Sequence, residues 1–587
     1  MSPFQVIVLA TPVFLLMIAM EFAWSRRAAA RVPGNKAFRL NDLINSVSLG
    51  IISQLSGVLT KLLSIGIYTV VFGAVAIYPN LEFWSTWYGV VLALVFYDLC
   101  YYWLHRAGHV VGLFWAAHVV HHQSQHYNLS TALRQTSSGA LFGWIFYIPM
   151  AIAGVPPLIF GIVALIDLLY QFWVHTEQVG KLGWFDRWFC SPSNHRVHHA
   201  VNDQYIDRNY GGILIIWDRI FGSFQEEDDK DPCVYGTRGQ LNSWDPLWAN
   251  VDVYWTLAKN SWYAEKWSDK VRVWFKPPGW QSADLARNHP YPPFRLEQVT
   301  TYNPPLSASQ QLFAVLQFVA SIAAVSVFLW HADAMPWGEA AIWCAALTAS
   351  MWGLGLFMQG RLSMLEVLLL QASALATLSA TGMLGLFMLL KPMPMSIAIV
   401  FIAARAMSTG GIGKLDLLLL GAAVFSLGGD VFLMLPGDYF IPGLASFLVA
   451  HVFYIALFKQ QQAWFPSKAA LAGVLGFGAV MYAILWSSLG DPILKGAVAA
   501  YVTVISLMAA QAIGRAKVRG DSASRWVAVG ACVFMASDSL IAINKFLTPV
   551  PLSALWILWT YFAAQMLIVH FSTPTPPTPR PVGEGSF

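Results

Sequence analysis

The stretch Tyr97-Asp-Leu-Cys-Tyr-Tyr-Trp-Leu-His-Arg-Ala-Gly-His109 ends an apolar run with two histidines four residues apart. Residues at this spacing share one face of an α-helix, so both imidazoles would point to the same side. Further histidine groups follow along the chain: His118, His121 and His122, then His175, then His195, His198 and His199. The pattern predicts helices that bring many imidazoles together.

The clustering of the histidines needs a chemical cause. Ten of the 14 lie between His105 and His199, where an even spread would place about two. Imidazole is a common neutral ligand of redox metals. Leaving aside His126, to which we assign no role, nine imidazoles exceed what one four-coordinate zinc ion can use. They indicate a two-metal centre, with iron as the favoured metal, and thus an oxidative metalloenzyme.

The composition indicates a polytopic membrane protein. Hydrophobic residues make up 57% of the 587 residues, charged residues make up 11%, and there are 26 tryptophans. The net charge of +4 is small, and lysine and arginine lie mostly between apolar segments, so no nucleic-acid partner is implied. The five cysteines form no Cys-x-x-Cys motif, which argues against a thiolate metal site.

An all-α fold follows from the apolar runs. We predict spans at 4–24, 42–62, 84–104, 139–155, 157–175, 309–330, 337–358, 363–390, 393–408, 415–435, 440–458, 467–488, 494–513, 526–546 and 552–571. Basic residues after the first span (Arg26, Arg27, Arg31, Lys36 and Arg39) place that loop in the cytoplasm. Two further crossings return His105 to the cytoplasmic face, where all four histidine groups can meet.

The same runs predict the domain organisation. Residues 1–306 form a histidine-rich membrane domain whose segment 176–306 is a cytosolic cap, and residues 307–360 are connecting transmembrane helices. Residues 361–572 form a multi-helix membrane bundle, and residues 573–587, rich in proline, form a disordered tail.

The histidine groups, the Tyr97–Leu104 lead-in and Ser193-Asn-His-Arg-Val-His-His199 resemble the fatty acid hydroxylase/sterol desaturase superfamily over roughly 40–300. That resemblance implies a di-iron membrane oxygenase in which the nine histidines are the metal ligands. His126 lies outside the superfamily pattern.

Two further elements, Tyr127-Asn-Leu-Ser-Thr-Ala-Leu-Arg-Gln135 and Lys276-Pro-Pro-Gly-Trp280, are similar to the alkylglycerol monooxygenase family. This resemblance implies O2-dependent hydroxylation of the ether-linked carbon of alkylglycerols, with release of a fatty aldehyde. It also implies tetrahydrobiopterin or another external electron donor, and no fused cytochrome or flavin motif is visible in the sequence. Asn128 and Arg134 are candidates for cofactor or substrate binding, the alternatives being a loop cap and a cation that faces lipid headgroups.

Asp430 and Asp538 each interrupt an apolar segment, and ionisable residues inside membrane helices are functional candidates. The stretches around them, with Lys391-Pro392, Gly443–Tyr454 and Tyr561–Gln565, resemble the lysoplasmalogenase family over roughly 360–572. That resemblance implies hydrolysis of a vinyl ether. Two carboxyls suit this task, because one can protonate carbon while the other stabilises an oxocarbenium ion. Which aspartate is the acid stays open, as does a packing role for both. His451, Tyr454, Lys391 and Gln565 are candidate supporting residues.

Taken together, these features predict a bifunctional membrane enzyme that degrades ether lipids such as alkylglycerols and lysoplasmalogens, with a separate electron donor and, by default, a bacterial inner-membrane location. One alternative is a hydroxylase or desaturase of a sterol, carotenoid or fatty acid, followed by a non-catalytic lipid-binding bundle. A second is a channel or transporter, for which inverted repeats would be expected. No internal repeat is visible. Chain-length preference, oligomeric state and transfer of aldehyde between the two domains stay open.

Overall fold

The computed structural model describes residues 3–29 and 38–572. Arg31, Lys36 and the predicted tail lie outside these residues. The described part of the chain is all-helical, and its β-structure is limited to isolated bridges such as Phe189 with Leu214. The chain divides into two compact units, residues 1–359 and 360–587, which are described separately.

The described residues of the first unit form nineteen α-helices. They are α1 Pro3–Ala29, α2 Leu40–Lys61, α3 Ile67–Val75, α4 Leu81–Trp84, α5 Trp87–Val110, α6 Gly112–Ala116, α7 Val119–His122, α8 Leu129–Ala132, α9 Gly139–Phe142, α10 Trp144–Ala153, α11 Pro157–Trp173, α12 Phe185–Trp188, α13 Pro192–His199, α14 Ile216–Ile220, α15 Pro246–Tyr263, α16 Trp267–Phe275, α17 Ala283–Asn288, α18 Ala308–His331 and α19 Trp337–Met358. The second unit contains α20 Met364–Ala380, α21 Phe387–Leu390, α22 Met393–Ser408, α23 Lys414–Met434, α24 Phe440–Lys459, α25 Lys468–Leu485, α26 Pro492–Arg519, α27 Ser522–Phe546 and α28 Ser553–Ser572.

Twelve helical segments of the described chain are long and apolar enough to cross a membrane, five in the first unit and seven in the second. The chain is therefore an integral multi-pass membrane protein, as the composition predicts. Three predicted spans correspond to shorter apolar helices, α10, α11 and α20.

In the first unit α5 packs against α10 and α11 through buried residues that include Ala93, Tyr97, Met150 and Val163. The break between α10 and α11 falls where the Val155-Pro-Pro157 sequence predicts it. Gly154 makes this turn possible, because its φ is +97° and a Cβ there would lie 2.3 Å from the backbone of Tyr78. This packing places the ends of α5 and α11, which carry the first histidine pair and lead to His175, in one region.

The predicted connecting helices, α18 and α19, pack within the first unit. Val325, Phe328 and Leu347 of these helices form a buried cluster with Leu55 and Val58 of α2. These two helices therefore help to support the histidine-bearing unit, and they also continue the chain toward the second unit.

The second unit is a bundle with one large buried cluster built from α20, α22–α24 and α26–α28. Helices α23 and α24 approach each other closely, since a Cβ at Gly429 would lie 2.4 Å from the Phe447 ring. Small residues at such a seam let membrane helices pack backbone to backbone. The close approach seats Asp430, the residue after Gly429, inside the bundle.

Candidate metal centre and buried aspartate clusters

The nine predicted ligand histidines meet in the structure as two adjacent groups. In each group the candidate ligand atoms lie within 4.8 Å of one another. One group contains His105, His109, His118, His122 and His198, and the other contains His121, His175, His195 and His199. The groups touch, because the rings of His122 and His199 stack with centroids 4.3 Å apart. His126 belongs to neither group.

Short helices carry most of these imidazoles. The end of α5 provides His105 and His109, α7 ends with His121 and His122, and α13 provides His195, His198 and His199. His175 follows α11 directly after Val174. Helix α13 starts at a defined point, because the Ser191 side chain accepts the Asn194 N–H and Pro192 occupies its first turn.

Backbone carbonyls fix the orientation of four of the rings. The Nδ1 atoms of His105, His121, His175 and His198 lie 2.7–2.9 Å from the carbonyl oxygens of Tyr210, Arg134, Gln171 and Arg208. A carbonyl only accepts, so Nδ1 must donate in each case. In the neutral ring the Nε2 lone pair is then available, which is the form that binds a metal.

Four of the Nε2 atoms lack a hydrogen-bond partner in the part of the chain that the structure describes. Those of His105, His109, His198 and His199 are buried and make no hydrogen bond within the described residues. Orphaned buried acceptors are costly unless a donor or a cation satisfies them. The donor chemistry and the two-group arrangement therefore fit two bound cations.

Burial also favours the neutral form of five of these imidazoles. Desolvation lowers the pKa of His121 to about 4. The same cause, aided by neighbouring imidazoles, holds the pKa of His118, His122, His195 and His199 well below its ordinary value. Metal ligands must be deprotonated, so these rings are in a ligating state at neutral pH.

Arg134, a predicted cofactor-binding residue, lies directly behind His121. It is 1% exposed, and its guanidinium donates to the Val120 carbonyl, Asn45 Oδ1 and Gln123 Oε1, at 2.7, 2.8 and 3.3 Å. Its own carbonyl accepts a hydrogen bond from His121 Nδ1. The described contacts thus give Arg134 a positioning role, and a cofactor role stays a prediction.

Asn128, the other predicted cofactor residue, is a helix cap. Its Oδ1 accepts the Ser130 N–H and hydroxyl at 3.0 and 2.6 Å at the start of α8. This is the loop-cap alternative considered above, and binding of a cofactor by Asn128 is still untested. The nearby polar cavity, lined by Arg134, Gln123 and Asp42 among others, measures only about 20 Å³.

Several supporting carboxylates were missed by the sequence analysis. Asp98 on α5 accepts the N–H groups of Ile213 and Leu214 and of the Trp217 indole, at 2.7, 3.0 and 2.8 Å. Asp218 accepts those of Tyr210 and Gly211. The loop that orients His105 is therefore tied down by two buried acids. The signal for Asp98 was available, since it is an acid within an apolar run.

Glu21 on α1 supports the second histidine group in the same way. Its carboxylate accepts the Leu129 N–H at 2.8 Å and the Thr176 hydroxyl. Arg196 on α13 donates to the carbonyls of Thr176 and Val179 and pairs with Glu227 at 2.7 Å. These contacts fix the segment that follows His175.

In the second unit each predicted aspartate has its own tyrosine. The Tyr561 hydroxyl donates to Asp430 at 2.7 Å, and the Tyr501 hydroxyl donates to Asp538. His451 Nε2 lies 3.0 Å from the Tyr501 hydroxyl and 3.6 Å from the Asp538 carboxylate. The acids therefore form two hydrogen-bonded clusters instead of one directly bonded pair.

Asp538 borders an apolar cavity. An apolar cavity of about 70 Å³ is lined by Asp538 and Tyr501 together with Phe447, Val498 and Ala542 among others, and Asp430 is not part of its wall.

Of the predicted supporting residues, His451 contacts the Asp538 cluster. Tyr454 and Gln565 form a separate chain, in which Tyr454 donates to Gln565 at 2.5 Å and Gln565 donates to Ser426 at 3.0 Å. Lys391 is buried.

Two family models match the chain. The fatty acid hydroxylase model matches residues 90–223, which include all nine histidines. The YhhN family model matches residues 386–571, which include both aspartates.

Curated relatives of two kinds are similar to parts of the chain. Alkylglycerol monooxygenase of Homo sapiens is 35% identical over 322 residues, or 54% of this chain and 69% of the relative. Alkylglycerol monooxygenase of Danio rerio is 36% identical, with 53% and 68% covered. Lysoplasmalogenase TMEM86A of Homo sapiens is 37% identical over 154 residues, covering 25% of this chain and 60% of that protein. No solved structure matches the chain significantly.

Proposed function

This chain belongs to the alkylglycerol monooxygenase family, and from that premise we propose that its first unit hydroxylates the ether-linked carbon of alkylglycerols. One oxygen atom of O2 enters the C–H bond beside the ether oxygen. The other leaves as water, with two electrons and two protons from a separate donor. The resulting hemiacetal collapses to a fatty aldehyde and a glycerol. The observation that carries the proposal is the convergence of nine imidazoles in two touching groups.

Two iron ions, held by these groups, are the metals we propose. Bound iron would supply the redox chemistry that activates O2 for insertion into a C–H bond. The protein's own part is to hold the imidazoles. The carbonyls of Tyr210 and Arg134 accept hydrogen bonds from Nδ1 of His105 and His121, which fixes the tautomer of both rings. Asp98 holds the loop that contains Tyr210 in place. We propose tetrahydrobiopterin as the external electron donor, in line with the sequence resemblance.

Metal analysis and product analysis test this proposal together. The purified chain should contain about two irons, and alkylglycerol with reduced pterin and O2 should release fatty aldehyde. His175→Gln should lose iron and activity, whereas His331→Gln, at an exposed site outside both groups, should lose neither. A zinc-only protein would refute the oxygenase. Turnover of sterols or free fatty acids alone would favour the alternative substrates.

For the second unit we propose hydrolysis of the vinyl ether of lysoplasmalogens. The supporting observation is that Asp538 and Tyr501 line an apolar cavity, and that His451 lies 3.6 Å from the Asp538 carboxylate. Protonation of the alkene carbon gives an oxocarbenium ion, and attack by water gives a hemiacetal that releases aldehyde. We assign the donation of the proton to Asp538, which lines the cavity and regains a proton from the attacking water, while His451 and Tyr501 hold its carboxyl. Asp430 has a positioning role.

A lysoplasmalogen assay separates these roles. Asp538→Asn should abolish hydrolysis, Asp430→Asn should reduce it, and Asp438→Asn, on the exposed loop before α24, should leave it unchanged. Full activity of Asp538→Asn would make the bundle a lipid-binding module or move the chemistry elsewhere.

For orientation, we propose that the histidine groups lie on the cytoplasmic side, as the basic residues Arg26 and Arg27 after the first span indicate. The relatives named above are animal proteins, so they lend no support to the bacterial inner membrane that the sequence analysis predicts.

A further inference from the structure

The most exposed side chains of helix α15 are all hydrophobic. Its six exposed residues are Leu247, Trp248, Val251, Trp255, Trp262 and Tyr263. A helix at the surface of a water-soluble cap places charged and polar residues on its outer face. This helix has the opposite pattern, although it lies in the segment predicted to be cytosolic.

Helix α16 continues the apolar surface. Trp267, Val271 and Phe275 recur every four residues along one side and are 82%, 58% and 60% exposed. The two helices together form what we call the tryptophan hairpin, residues 246–276. Its exposed face is too large and too aromatic to be explained by scattered surface residues.

The inner face of the tryptophan hairpin is firmly packed. Leu257, Ala264 and Val273 form a buried cluster with Ala116 of α6. The helices are also tied to each other, because Lys270 Nζ donates to the Ser261 carbonyl at 3.0 Å and the Ser261 hydroxyl donates to the Lys270 carbonyl at 2.9 Å. The outward direction of the aromatic face is therefore fixed by the fold.

The tryptophan spacing defines how this face meets a bilayer. Trp248, Trp255 and Trp262 are seven residues apart, so they lie on one side of α15 and span about 21 Å along its axis. Indole rings concentrate at the membrane–water interface, where the ring is apolar and the N–H is wet. All three can reach that depth only if the helix lies parallel to the membrane surface.

The charge of the hairpin suits a lipid surface. Residues 246–276 contain five basic and three acidic residues, and Lys266 and Arg272 are exposed. Basic side chains beside an aromatic face are typical of helices that lie at the headgroup region, where anionic phospholipids attract them.

We propose that the tryptophan hairpin is an interfacial membrane element whose aromatic face is buried at the boundary between the headgroups and the acyl chains. This part of the predicted cap would then lie on the bilayer. The hairpin also contacts the histidine region, since Gln123 Nε2 donates to the Ala249 carbonyl at 3.0 Å and Gly112 N–H donates to the Lys276 carbonyl at 2.9 Å. It would hold the histidine groups at the depth of the lipid headgroups, whatever reaction they perform.

Depth-dependent quenching tests the proposal on the full chain. Trp248→Cys, Trp255→Cys and Trp262→Cys are each labelled with a bimane and placed in vesicles of phosphatidylcholine and phosphatidylglycerol. The vesicles carry nitroxides on the headgroup, high on the acyl chain or near its methyl end. Asp229→Cys is the aqueous control, because the Asp229 side chain is 86% exposed and lies in an acidic segment. Val424→Cys is the deep control, because Val424 is 50% exposed on the membrane-spanning helix α23. The labelled parent protein corrects for its own cysteines.

The three hairpin labels should lose fluorescence equally, and most strongly with the headgroup and upper-chain nitroxides. Labels that behave like Asp229→Cys would show a face turned to water or to another protein, and would overturn the proposal. Deepest quenching at Trp255→Cys would show a helix that dips into the membrane, and would overturn the interfacial placement. As a measurement without substitutions, a phospholipid with a diazirine near its headgroup should label peptides from 246–276 of the unmodified chain, and absence of labelling there would count against the hairpin.

Discussion

The Nε2 atoms of His121 and His175 lie 3.1 Å apart, although neither ring has a proton to place between them. Each ring already donates its Nδ1 proton to a backbone carbonyl. Two lone pairs therefore face each other in a buried site, an arrangement that a shared cation would stabilise and that protein contacts alone leave unfavourable.

Metal removal should accordingly destabilise the first unit. A ligand at a thousand times its dissociation constant stabilises a folded protein by about 4 kcal/mol, so the metal-free chain should unfold several degrees lower. Thermal unfolding with and without iron measures the shift, and in His175→Gln the shift should shrink. An unfolding temperature that changes neither with a chelator nor with added iron would argue against a metal at these groups.

Replacement of Arg134 should mainly affect stability. Arg134→Met leaves Asn45 Oδ1, Gln123 Oε1 and the Val120 carbonyl without their donor, and a buried acceptor left unsatisfied costs about 1–3 kcal/mol. The exposed Arg287→Met is the matched control. Chemical denaturation gives the free energy of unfolding. If Arg134 instead bound the electron donor, the variant would keep its stability and show a raised KM for the pterin.

Asp98→Asn should weaken iron binding without touching a ligand. The Asp98 carboxylate accepts three N–H groups, and an amide would have to present its own N–H groups to one or two of those donors. The loop that orients His105 would shift, and loss of such an outer partner typically costs 10–100-fold in metal affinity. Competition with a chelator measures the affinity, and Asp203→Asn, at an exposed carboxylate, provides the baseline.

The ion pair of Arg196 and Glu227 should give a pH-dependent stability. Burial raises the pKa of Glu227, but hydrogen bonds from Arg196 and Ser193 lower it more, so it lies below the ordinary 4.5. A depressed carboxyl pKa contributes stability that is present above pH 4.5 and is lost as the pH falls through the folded-state value. Glu227→Gln should therefore be less stable than the parent by about 2 kcal/mol near neutral pH. The difference should close on acidification, and a gap of constant size from neutral to acidic pH would contradict the assignment.

The grouping of the histidines was predictable because it follows helical spacing, whereas their distribution between the two sites was not. His121 and His122 are neighbours in sequence yet belong to different groups, as do His198 and His199. That division depends on how α7 and α13 are rotated relative to α5. The positions of the rings also depend on long-range contacts such as that of His105 with the carbonyl of Tyr210, and local sequence patterns do not contain them.

In the second unit, too, the sequence predicted the candidate residues but not their arrangement. Asp430 and Asp538 were visible as acids in apolar segments, and the aromatic residues around them were not informative alone. The structure separates the acids by giving each a tyrosine from a different helix, Tyr561 on α28 and Tyr501 on α26. Which acid borders a cavity depends on the packing of α24, α26 and α27, which hydropathy does not specify.

Filling that cavity tests whether Asp538 acts where the structure exposes it. Ala542→Phe adds a ring to the cavity wall, so lysoplasmalogen hydrolysis should fall strongly. The hydrogen bond between Tyr561 and Asp430 lies outside the filled space and should be unaffected. Overpacking of this kind costs about 1–3 kcal/mol, which thermal unfolding would report separately. Ala479→Phe, at an exposed position of α25, is the size-matched control. Hydrolysis that survives in a folded Ala542→Phe protein would mean that the substrate reaches the acids by another route, and would shift the assignment to Asp430.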